Sequence, residues 1–203
     1  MTPSGAARLH PVDSAIDADR AADAVADLLR ALGRDLDDEH LADTPRRVVA
    51  GLLELLEPQP FAMTSFPNDE GYHDLVLVRG IPFTSLCRHH LLPFRGVAHV
   101  GYLPGDRIVG LSKLARVVDW FARDLQVQER LTMQIADHLD VTLAPRGVGV
   151  VMTAEHLCMS ARGIRAQGAA TVTTAFTGEV ADDPGIRARF MQAAHEEDTW
   201  RTT

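Results

Sequence analysis

Cysteine and lysine are scarce in this chain of 203 residues: Cys87 and Cys158 are its two cysteines, and Lys113 its one lysine against 19 arginines. Two cysteines exclude a disulfide-stapled scaffold, and a single bridge is disfavoured in a reducing compartment. No apolar run approaches the ~18 residues of a membrane-spanning helix, which excludes a transmembrane segment and a membrane partner. Residues 1–7 lack the charged-then-apolar pattern of a secretory signal, so the expected location is cytoplasmic. Basic charge is in deficit, 20 Lys and Arg against 28 Asp and Glu, a net of -8. That balance is wrong for a nucleic-acid binder. Any anionic ligand would need a local cluster of cations.

The acid excess is itself local. Residues 13–43 hold ten acids and three arginines, a net of -7, which reads as the solvated face of a helix. Hydrophobic residues make up 46% of the chain, enough to bury a core and too many for disorder. The expected organisation is a mobile tail over 1–12, an N-terminal helical segment over 13–60 and one catalytic domain over 61–203. Helices are expected over 13–32 and from the Thr44-Pro45 start to about Glu57. A linker follows over 58–72. Strands are expected over 73–78, 81–86 and 96–103, then helices over 111–123 and 127–143. Strands over 148–158 and 169–176 come next, and a last helix over 184–194. Strands, two helices, then strands again predict an α+β fold on an antiparallel sheet.

The residues that could carry chemistry fall in short segments. Cys87-Arg88-His89-His90 can present a thiolate and an imidazole to one ion from one turn. Strand alternation places His156 and Cys158 on one face. Cys87, His90 and Cys158 would form a Cys₂His set with a fourth position open, the catalytic pattern for zinc. His89 and His156 would then be unligated histidines suited to proton transfer at neutral pH. A structural zinc closed by His89 or His156 is the competing arrangement. Ser112 can cap the helix that opens at Gly110-Leu111-Ser112-Lys113-Leu114-Ala115-Arg116, and Lys113 and Arg116 share one of its faces. Glu129, beside Gln128, opens the next helix. Its carboxylate can compensate the helix dipole or accept two parallel donors, such as a guanine edge. Arg162 and Arg165 flank Gly163 in a loop suited to phosphate oxygens.

Together with Thr44-Pro45-Arg46-Arg47 and Gln126-Val127-Gln128-Glu129-Arg130-Leu131, these stretches, in this order, resemble the GTP cyclohydrolase I family. The resemblance covers roughly residues 41–194. It implies the tunnelling fold, a toroidal homodecamer of two five-membered rings, and active sites where subunits meet. It implies one zinc ion held by Cys87, His90 and Cys158, and conversion of GTP and water to formate and 7,8-dihydroneopterin triphosphate. By the same resemblance, His156 and His89 move protons and Ser112 assists the later ribose rearrangement. Glu129 anchors guanine with Gln128 beside it, and Lys113, Arg116, Arg162 and Arg47 neutralise the triphosphate. The sequence departs from the family at Arg88, where Glu is usual. That reversal of charge leaves open a divergent relative that binds GTP or a pterin without full turnover, or serves a specialised pathway.

Overall fold

The computed structural model describes residues 16–195. The expected tail over 1–12 and the first residues of the expected 13–32 helix lie outside them. The chain divides between Glu57 and Pro58 into two compact units.

The first unit is a pair of helices, α1 (Ala18–Ala31) and α2 (Thr44–Leu56). The side chain of Asp17 caps α1 by accepting from the Arg20 N–H at 2.9 Å. Gly33, at φ +72°, turns the chain out of the helix, and the Arg34 N–H closes back on the Leu29 carbonyl. The start of α2 differs from expectation by one residue. Asp43 occupies the N-cap position without a side-chain cap bond, and the Thr44 hydroxyl donates instead to the His40 carbonyl.

The second unit is an α+β sheet domain. Strand β1 (Ser65–Pro67) lies within the expected linker and pairs with β4 (Arg107–Val109). Strand β2 (Val76–Cys87) merges the two strands expected over 73–78 and 81–86, with a register irregularity between Val78 and Ile81 in place of a break. It forms a hairpin with β3 (Pro93–Leu103). Two helices follow, α3 (Leu111–Ala122) and α4 (Gln128–Leu143), separated by the two-residue β5 (Leu125–Gln126). Strand β6 (Gly147–His156) then pairs antiparallel with β3, and β7 (Thr171–Phe176) with β6. The sheet order is β5-β2-β3-β6-β7, antiparallel except for the parallel β2–β5 rungs. The expected 148–158 strand stops at His156, where the short helix α5 (Leu157–Ser160) takes over. Helices α6 (Gly178–Asp182) and α7 (Pro184–His195) complete the unit. Among the described residues no helix is long and apolar enough to cross a membrane.

Period-two alternation explains the core. Ala98, Val100, Tyr102, Val148, Val150, Met152 and Ala154 point to one face of the sheet. Leu114, Val117, Val118, Phe121, Leu131, Ile135 and Leu139 of α3 and α4 close over it. Each fully buried Val, Leu, Ile or Phe contributes about 1.5–3 kcal/mol relative to exposure, so this layer is the unit's main source of stability. A smaller cluster, Leu103, Val151, Val180, Phe190 and Ala194, packs on the opposite face at one end.

The β3–β6 contact is tightest at Gly96. A Cβ there would collide with the Thr153 carbonyl oxygen and come within 2.6 Å of the Ala154 Cα. Both obstacles are backbone, so no rotamer change relieves them. Gly96→Ala is therefore expected to destabilise the fold by about 3 kcal/mol, the upper end for overpacking. The check is the unfolding midpoint at fixed protein concentration, and an unchanged midpoint would refute this close approach.

Candidate active site

The β2–β3 connection builds the first half of the site. The Cys87 carbonyl accepts from the N–H groups of His90 and Leu91, while the Cys87 N–H donates to the Leu92 carbonyl. Leu91 takes φ +54° to close this turn. The Arg88 N–H donates to the Gln126 carbonyl, tying the turn to β5. The result holds Cys87 Sγ 3.7 Å from His90 Nδ1 and 4.0 Å from His89 Nδ1.

The second half comes from the end of β6. Because the chain leaves the sheet after His156, Cys158 reaches the site from α5 and not, as alternation predicted, from the strand. The donor atoms of Cys87, His90 and Cys158 lie within 4.8 Å of one another. Two thiolates and an imidazole around a tetrahedral zinc, with Zn–S of ~2.3 Å and Zn–N of ~2.0 Å, would sit about 3.6 Å apart. The Cys87–His90 spacing meets that requirement, so the residues fit the ion. Neither His89 nor His156 belongs to the trio, which favours an open site over a closed structural one. Burial first, and then Cys87, push the Cys158 thiol up, while Arg162 draws it down. That places Arg162, on the exposed loop after α5, within electrostatic reach of the trio.

His156 is held on two sides. Its ring stacks on Phe94 with centroids 4.5 Å apart and planes 3° from parallel. Its Nε2 lies 2.7 Å from Gln128 Oε1. Burial pushes its pKa below the usual histidine value, and Glu129 opposes that shift. Glu129 itself is exposed on the first turn of α4. The side chain of Gln128, the residue before it, is turned inward. Gln128 is 1% exposed, and its amide is engaged with His156 and with groups on β6 and β7. Sequence reasoning missed this, and it missed Phe94. Neither residue carries a chemical signature, and both act through neighbours that the fold supplies.

Ser112, Lys113 and Arg116 occupy the first turns of α3. Gly110, not Ser112, is the N-cap residue, and no side-chain cap bond forms. Helix α3 has 12 residues and is about 18 Å long. Its far end leads within three residues to β5, whose Gln126 pairs with Cys87. Ser112 and Lys113 therefore lie on the first turn of α3 and Arg116 near its middle, while the chain reaches the metal trio past the C-terminal end of the helix. Arg47 belongs to the first unit, where it pairs with Asp43 at 3.7 Å and donates to the His40 carbonyl.

The GTP cyclohydrolase I family model matches residues 21–195. The chain belongs to the GTP cyclohydrolase I family. It is 49% identical over 189 residues to GTP cyclohydrolase 1 of Allorhizobium ampelinum, covering 91% of this chain and 94% of that one. It is 50% identical over 189 residues to the Mycobacteroides abscessus GTP cyclohydrolase 1, covering 90% and 92%. With that of Mycobacterium leprae it shares 51% identity over 182 residues, covering 86% and 88%. A looser likeness among solved structures is to an archaeosine synthase QueF-Like protein, at TM-score 0.43 and 16% identity over 51% of this chain and 93% of that one.

Cys158→Ser removes one of the two soft donors. Zinc affinity, measured by competition with a chromogenic chelator, is expected to fall by more than about 100-fold, beyond the usual cost of losing an outer-shell partner. Unchanged affinity would show that the metal lies elsewhere.

Proposed function

We propose that this chain is a cytoplasmic, zinc-dependent GTP cyclohydrolase I, converting GTP and water to formate and 7,8-dihydroneopterin triphosphate. The observation that carries the zinc assignment is the convergence of Cys87, His90 and Cys158, beside a half-buried histidine and an exposed helix-start carboxylate. When bound, zinc supplies the Lewis acidity for attack of water at C8 of the guanine ring.

The remaining work falls to side chains. Glu129 accepts from the N1–H and 2-amino group of guanine, a pair of parallel donors that matches a carboxylate. His156, next to Glu129 in electrostatic terms, donates a proton to the imidazole nitrogen as the ring opens. His89, 4.0 Å from the Cys87 sulfur, assists that transfer. Arg162 binds phosphate from the trio's side. Lys113 and Arg116, with Arg47, neutralise the rest of the triphosphate, and Ser112 serves the later ribose rearrangement. Local convergence of cations is what lets a chain of net charge -8 hold a highly charged anion.

This reading also has a quaternary form: a homo-oligomer of two five-membered rings, with the site completed where subunits meet.

Zinc-loaded protein incubated with GTP is expected to release formate and, after oxidation, pterin fluorescence in equal amounts. Glu129→Gln is expected to lower kcat/KM by about 30- to 150-fold, the equivalent of 2–3 kcal/mol for a charge-assisted pair. Absence of both signals, with zinc bound and the assembly intact, would overturn the assignment. Arg88→Glu would then be the next protein to assay.

A further inference from the structure

We infer that Gln128 is a positioning residue that fixes the ring of His156, with its hydrogen on Nε2 and its lone pair on Nδ1. The inference rests on the proposed role of His156 in proton transfer and adds the residue that controls it.

The argument starts from the orientation of the Gln128 amide. One of its terminal atoms lies 3.2 Å from the Met152 carbonyl oxygen, 3.0 Å from the Thr171 carbonyl oxygen and 3.0 Å from Thr173 Oγ1. Carbonyl oxygens only accept, so that atom must be the NH₂ group. Turning the amide over would set Oε1 against two carbonyl oxygens and leave buried acceptors facing each other. The orientation is therefore fixed by the network. The other terminal atom, Oε1, lies 2.7 Å from His156 Nε2. An amide oxygen only accepts, so His156 Nε2 must carry hydrogen. In the neutral ring the lone pair is then on Nδ1.

The surroundings prevent the pair from relaxing. Phe94 stacks parallel to the imidazole, which opposes tilting. A half-turn of the ring would put a carbon where Nε2 stands. The Thr132 hydroxyl donates to the Gln128 backbone carbonyl at 2.8 Å and lies 2.6 Å from Thr173 Oγ1. Gln128 is thus clamped by α4, β6 and β7 together. It is also the first residue of α4, directly before Glu129. One helix start therefore sets both the orientation of His156 and the position of the carboxylate proposed to hold guanine.

The test uses the assembled, zinc-loaded enzyme labelled with ¹⁵N-histidine. Solid-state ¹⁵N NMR reads the protonation of each ring nitrogen, and the difference from His156→Gln assigns the signal. The wild type is expected to show His156 protonated at Nε2 and unprotonated at Nδ1 when neutral. Gln128→Met, of similar size but without polar atoms, is expected to show a mixture of tautomers. In that variant kcat is expected to fall about 10- to 100-fold, by analogy with the loss of an outer-shell hydrogen bond to a metal-ligating histidine. KM for GTP should change less than about threefold. Val151→Ala, a core change on the opposite face of β6, should lower stability and leave the tautomer intact. Should Gln128→Met fail to assemble, Gln128→Asn withdraws the acceptor by one methylene and serves instead. An Nδ1–H signal in the wild type overturns the inference. So does an unchanged Nε2–H signal in the variant, or a rise in KM with kcat unaffected. His156→Ala with undiminished turnover would instead remove the proton-transfer role while leaving the tautomer assignment standing.

Discussion

The register between β3 and β6 is the constraint on which the site depends. Its rungs run from Phe94↔His156 to Leu103↔Gly147. A slip of one residue would turn every β6 side chain to the other face. His156 would leave both Phe94 and Gln128, and the start of α5 would carry Cys158 away from Cys87. The β2–β3 hairpin extends the same constraint, since Leu86↔Pro93 places Cys87 at the turn beside Phe94. The apolar rungs further along, such as Ala98↔Met152 and Val100↔Val150, hold that register through burial. Core packing and metal geometry are consequently one problem in this chain.

The parts of the structure legible in the sequence are those whose signal is local. The stripe Leu114, Val117, Val118 and Phe121 marks α3, and Leu131, Ile135 and Leu139 mark α4, because helical period alone sorts them. The metal donors stand out because Cys and His carry their chemistry wherever they sit. Other features are settled by distant neighbours. Strand β5 is two residues long and exists because β2 offers an open edge. The alternation of Val150, Met152 and Ala154 continues in the letters through His156 to Cys158, yet the backbone turns into α5. Gln128 has the sequence look of a solvated helix start. Only Met152, Thr171 and Thr173, brought from other elements, reveal that it is buried and satisfied. Ser112 was the better cap by residue type, but Gly110 adopts the extended conformation that precedes the helix.

The cations of the proposed site obey a different logic. Arg162 follows the metal trio in the chain, whereas Lys113 and Arg116 belong to the first half of α3. They come from separate elements, so the proposed triphosphate site depends on what the fold brings together and not on one stretch of sequence. The acid excess is concentrated over 13–43, which is why overall charge is a poor guide to the ligand.

Among the described residues of the first unit the interior is thin. In α1 only Ala22 is buried, and in α2 only Pro45 and Val49. Leu28 and Leu32 are more than half exposed. Such a hairpin has little apolar burial to oppose local opening. Its amides are therefore expected to trade hydrogen for deuterium through brief fraying events, well before those of β3 and β6. A long, low-stability prelude is joined to a domain whose central strands open only when the whole layer gives way.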